Sequence, residues 1–205
     1  MQQAAPQHAA PALDESAPAG LDEVVRRLRS GAAHSIESRS LALVCMGAAM
    51  PPGAWGAIVG MPDLGIEAAR DLGVPIDRVA LVPHPGRAWL DVVASLAEAM
   101  PVVLAASPGR VSPADAARLA ARLRQASSTL LVTGPWPGAA TVVRSVRAEW
   151  QGLADGDGRI AAGSLVVEAA TGGAPSVARI PIGGDGAAAE AAADPGDELL
   201  QQPAA

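Results

Sequence analysis

Short apolar runs separated by segments of helical period organise the middle of this chain. Trp55–Gly60 and Pro101–Ala106 are apolar at nearly every position, the pattern of strands covered on both faces of a parallel sheet. Between them, Ile66–Leu72 ends at Gly73 like a capped helix, and Trp89, Val92, Val93, Leu96 and Ala97 recur at helical spacing after a short strand. Upstream, Leu21–Ser30 gathers Leu21, Val24, Val25 and Leu28 on one face of a short amphipathic helix, with Arg26, Arg27 and Arg29 elsewhere. Gly31–Ser40 reads as a polar connection into a helix over Leu41–Met50, stopped by Pro51-Pro52-Gly53. Downstream, Ser112-Pro113-Ala114-Asp115 opens a helix whose apolar stripe is Ala116, Leu119, Ala120 and Leu123. Ser128–Thr133 is a buried strand, Thr141–Arg147 alternates like a strand with one wet face, and Gly158–Ala169 and Ser176–Ile182 form an antiparallel pair around a Gly-rich turn. The expected class is α/β: a mostly parallel sheet flanked by helices, with antiparallel strands towards the C-terminus.

Composition divides the chain. Residues 1–20, rich in Ala, Pro and Gln, and residues 183–205, rich in Gly, Ala and acids, bury too little to offset the entropy of ordering and are expected to be disordered tails around a domain at 21–182. The net charge is −6, but two acids fall in residues 1–20 and five in 183–205, leaving 14 acids against 15 arginines and a domain near +1. That is far from the basic footprint of a protein that holds nucleic acid by phosphate neutralisation alone. Lysine, asparagine, phenylalanine and tyrosine are absent, which fits a GC-rich genome because all four share AT-rich codons. A single cysteine, Cys45, excludes an internal disulfide and a cysteine-based zinc cluster, and its apolar helical setting is that of a structural thiol. Without a leader-like N-terminus or an apolar run of spanning length, a soluble cytoplasmic protein is expected, with no metal.

Two runs carry a family resemblance. Ala68-Ala69-Arg70-Asp71-Leu72-Gly73-Val74-Pro75-Ile76-Asp77 resembles the YARKLGVDID segment of RecA-family proteins, and Ala121–Val132 (ARLRQASSTLLV) resembles their NLKQSNTLLIF helix and strand. Within that family the chain looks like the short, actinobacterial ImuA-prime type. The resemblance covers roughly residues 40–170 and implies a RecA-like sheet. It also implies a place in the DNA damage (SOS) response, partnering a Y-family-like polymerase subunit and an error-prone replicative-type DNA polymerase in mutagenic translesion synthesis, nucleoid-associated when in complex.

The residues that would make such a scaffold an ATPase are missing. A phosphate loop needs G-x-x-x-x-G-K-[ST]; here Ser38-Arg39-Ser40 stands where G-K-[ST] would be, Glu37 adds negative charge, and no lysine exists to replace the missing one. The position of the family's metal-organising aspartate holds Ala106, and that of its water-activating glutamate holds Met61-Pro62, with Asp63 two residues on. ATP hydrolysis is therefore not expected, nor a bound cofactor. The buried strand that precedes the family's phosphate loop is not legible before Gly31; it is either present but unread, or missing.

The expected function is a non-catalytic bridge between polymerase subunits. Candidate partner or DNA contacts are Arg110; Arg118 and Arg122, for which a solvated face is the plainer reading; Trp136, for which local packing is; and Leu199 and Leu200 in the acidic tail, for which an unstructured end is. Two alternatives differ in class. One is an unconventional ATPase using Arg39, Ser40 and Asp63; the other is a small α/β enzyme using His34, His84 or Asp63, since His84 sits in a Val82-Pro83-His84-Pro85-Gly86 loop at the carboxyl end of a strand.

Overall fold

The computed structural model describes residues 20–151, 162–172 and 175–182. The element order is α1 (Leu21–Arg27), β1 (Ala33–Ile36), α2 (Arg39–Ala49), β2 (Gly56–Val59), α3 (Ile66–Asp71), β3 (Val79–Val82), α4 (Trp89–Ala99), β4 (Val102–Ala106), α5 (Pro113–Ala126), β5 (Thr129–Thr133), β6 (Thr141–Gln151), β7 (Ala162–Ala170) and β8 (Ser176–Ile182). All eight strands form one sheet in the order β3-β2-β4-β5-β1-β6-β7-β8. The first six in that order are mutually parallel, and β7 and β8 add antiparallel. The expected α/β class, strand alternation and C-terminal antiparallel pair are therefore present. Apart from Gly20, both expected tails lie outside the described residues, as do Leu199 and Leu200.

The sheet separates two apolar layers. Successive side chains of a strand point to opposite faces, so in β4 Val102 and Leu104 join α1, α2 and α3, while Val103 and Ala105 join α4 and α5. Helix starts follow their capping chemistry: the Ser38 hydroxyl accepts from Leu41 N–H at 3.3 Å, and the Ser112 hydroxyl accepts from Asp115 N–H at 3.1 Å with Pro113 in the first turn.

The segment Gly31–Ser40 is where the structure departs from the expected polar connection. Ala33–Ile36 within it is a strand, fully buried, in the middle of the sheet between β5 and β6. Its two polar residues masked it, and both find partners remote in sequence or outside the ladder. His34 Nε2–H donates to the Arg29 carbonyl at 3.0 Å, and the Ser35 hydroxyl donates to the Gly134 carbonyl at 2.7 Å. The sheet has no gap, and α1, the amphipathic helix before it, packs against α2 and β8. Among the described residues no helix is long and apolar enough to cross a membrane.

Glycine has one steric role that propensity would hide. Gly47 lies inside α2, where alanine would ordinarily be favoured by about 1 kcal/mol, but a Cβ there would come 2.5 Å from the Gly73 carbonyl oxygen. Gly47→Ala should therefore lower the unfolding free energy, by about 1–3 kcal/mol for an overpacked contact; urea denaturation checks the sign. His34 supplies a second expectation. Burial lowers its pKa below the ordinary 6.5, the Arg29 carbonyl pulling the other way. The unfolded chain thus binds a proton that the native chain refuses. Stability that is full above pH 6.5 should fall as pH drops through that value and stop falling below the folded pKa. His34→Gln should flatten this part of the pH profile of urea midpoints.

Candidate functional site

Parallel α/β sheets present their chemistry at the carboxyl ends of the strands, and the residues singled out from the sequence lie mostly along that rim. The junction between β1 and α2 is the decisive part. Only Glu37 and Ser38 separate Ile36 from Arg39, so the central strand runs almost directly into its helix. Both connecting residues are already engaged. Glu37 N–H donates to the Val143 carbonyl at 3.0 Å, and the Glu37 carboxylate accepts from Ser145 N–H at 2.7 Å. That second bond falls where the β6–β7 register shifts, between Ser145 and Arg147. Ser38 is the helix cap. Of the expected degenerate loop Ser38-Arg39-Ser40, Ser38 is the cap and Arg39 and Ser40 open the first turn of α2.

Arg39 reaches Asp63, beyond the end of β2, in an exposed ion pair at 2.6 Å. The Arg39 guanidinium, hydrogen-bonded to Asp63, holds that carboxyl below its ordinary range. The two groups considered as substitute cation and substitute carboxylate are therefore bound to each other.

Where the family resemblance would put catalytic carboxylates, the structure is apolar or already bonded. Met61 is buried in the layer of α2 and α3. The Ala106 carbonyl accepts from the Trp89 indole N–H at 2.9 Å. Trp89 packs on Trp136 with ring centroids 5.6 Å apart and planes tilted by 35°. Trp136 is accordingly a core residue, with 7% of its surface exposed, and the local packing considered for it is what the structure holds; its ring does not face outward for a base or a partner.

The remaining candidates are dispersed. Arg110 is exposed in the loop after β4. Arg118 pairs with Asp115 one turn away, and Arg122 lies 4.0 Å from Glu98 on α4, both on the outer side of the α4–α5 layer. His84 is exposed after β3, His34 is sealed inside β1, and no hydrogen bond or ion pair among the described residues joins either of them to Asp63. Cys45 is buried in α2 and its thiol is pushed up to about 12 by desolvation. Among the described residues no three His, Cys, Asp or Glu side chains cluster as metal ligands do.

Two contacts at the rim were not visible in the sequence. Glu37 as the clamp on β6 depends on Ser145, 108 positions away. The Trp89–Trp136 pair had one signal, that these are two of only four aromatic residues in the chain. The Arg39–Asp63 pair generates a direct expectation: Arg39→Gln should move the Asp63 titration upward towards the ordinary carboxylate range, read by carboxyl-carbon NMR. An unchanged titration would mean that the pair does not form in solution.

An uncharacterized protein of Mycobacterium tuberculosis strain H37Rv, Rv3395c, is 41% identical over 106 residues, which cover 51% of this chain and 52% of that protein. The match therefore spans about half the length of the relative. The family model for the MT3502 N-terminal domain matches residues 23–138, from α1 through the β5–β6 loop. With β1, the β1–α2 junction, Asp63 and the tryptophan pair all inside that stretch, the chain belongs to the MT3502 N-terminal domain family.

Proposed function

We propose that this protein is a non-catalytic accessory protein of DNA damage tolerance. On this reading it uses a RecA-like scaffold to bridge a Y-family-like polymerase subunit and an error-prone replicative-type DNA polymerase. The observation that carries the reading is the closed β1–α2 junction. A nucleotide-binding loop of this kind needs several free backbone N–H groups and an uncommitted cation around an anion. Two residues cannot supply such a cradle, Glu37 brings negative charge and is tied to Ser145, and Arg39 is tied to Asp63. Phosphoryl transfer also lacks a source of electrostatic stabilisation at Met61 and Ala106. What remains is a well-packed scaffold and its surface. The identity of the partners rests on the RecA-family resemblance of Ala68–Asp77 and Ala121–Val132, and the mycobacterial source of the related protein fits the actinobacterial setting that the resemblance implies.

Bridging is tested by recovery of the tagged full chain from DNA-damaged cells. Both polymerases should co-purify with it, in amounts unchanged by Arg39→Ala. Recovery of neither polymerase, together with ATP-dependent filaments of the purified protein on single-stranded DNA, would overturn the proposal.

A further inference from the structure

Soluble proteins guard the outer strands of their sheets with prolines, charges or covering segments, because unpaired backbone groups there recruit further strands. The outer strands of this sheet are β3 and β8. β8 contains Pro181, which has no N–H to offer. β3 is Val79-Ala80-Leu81-Val82, without proline or charge. Leu81 on it is 44% exposed, and Trp55, next to the neighbouring β2, is 54% exposed. They are the two large apolar side chains left in solvent among the described residues.

The backbone of β3 fixes which groups are offered. Gly60 N–H donates to the Val82 carbonyl at 2.9 Å, so Val82 faces inward to β2. Backbone groups alternate in direction along a parallel strand. Ala80 therefore also faces β2, and Val79 and Leu81 turn their N–H and C=O groups to the open edge.

We propose that β3 is a dimerisation edge, on which a second copy of this chain pairs antiparallel about a two-fold axis at Leu81. Directly opposed residues must share a face of the sheet. Leu81 against its own twin satisfies this, sets Ala80 against Val82 on the other face, and lets the two Leu81 residues exchange both N–H···O=C bonds. A shift of one residue would oppose side chains from different faces. Charge favours the same arrangement. Asp77, at the amino end of the strand, lies 3.5 Å from the neighbouring Arg78 guanidinium but keeps 77% of its side chain exposed, and Arg87, in the loop beyond the carboxyl end, is exposed with no ion pair among the described residues. Antiparallel pairing sets the Asp77 end of one copy beside the Arg87 loop of the other. Leu81, the exposed apolar side chain on the edge strand itself, is thereby covered by its twin.

Light scattering on the full chain over micromolar to sub-millimolar concentrations should give twice the 20.4 kDa chain mass. Leu81→Pro removes an outward N–H while sparing the ladder to β2, and should weaken dimerisation at least tenfold with an unchanged circular dichroism spectrum. Should that variant unfold, Leu81→Lys replaces it. Leu81→Cys should give a disulfide-linked dimer under mild oxidation, since hydrogen-bonded antiparallel partners have Cα atoms about 5.5 Å apart and Cys45 is buried. A monomer throughout the range would overturn the proposal. So would a dimer indifferent to the Leu81 substitutions, or capture of a polymerase strand at Leu81 by a chain that stays monomeric.

Discussion

The pairing of β1 with strands on both of its sides is the constraint on which the rest of this structure depends. β1 joins the parallel half of the sheet, through β5, to the β6–β8 half, and it does so with four residues. Because the strand is this short, its neighbours are held by added bonds beyond the ladder. Glu37 continues the pairing with β6 through its backbone and its carboxylate, Ser35 ties the β5–β6 crossover through the Gly134 carbonyl, and Gly134 N–H returns to the Ile36 carbonyl at 2.8 Å. Those bonds also engage the polar groups of the β1–α2 junction.

The same economy appears across the carboxyl rim. Arg39 and Asp63 neutralise each other, and the Ala106 carbonyl is taken by Trp89, itself packed on Trp136. These polar and aromatic groups at the strand ends are thus joined to the fold. The β3 edge, without proline or charge, is one place where backbone groups remain available.

Much of the fold was legible because long apolar runs state their burial directly. Pro101–Ala106 and Ser128–Thr133 needed no context to be read as interior strands, and the caps at Ser112-Pro113 and the stop at Pro51-Pro52-Gly53 bounded their helices. β1 was not legible, because half of Ala33-His34-Ser35-Ile36 is polar, and a buried polar group is tolerated only through partners that the local pattern does not reveal. The candidate site was partly legible: Arg39 and Asp63 could be singled out as charged residues near strand ends, but the clamp at Glu37 and the pairing of Arg39 with Asp63 join residues 108 and 24 positions apart and exist only in three dimensions.

The closed junction between β1 and α2 is tested most directly by equilibrium binding of a fluorescent ATP analogue to the purified full chain, with Mg²⁺ and with or without single-stranded DNA. No saturable binding is expected up to millimolar nucleotide, and Arg39→Ala should change nothing. Micromolar binding that Arg39→Ala abolishes would contradict it, and would mean that the Arg39–Asp63 pair opens to admit phosphate.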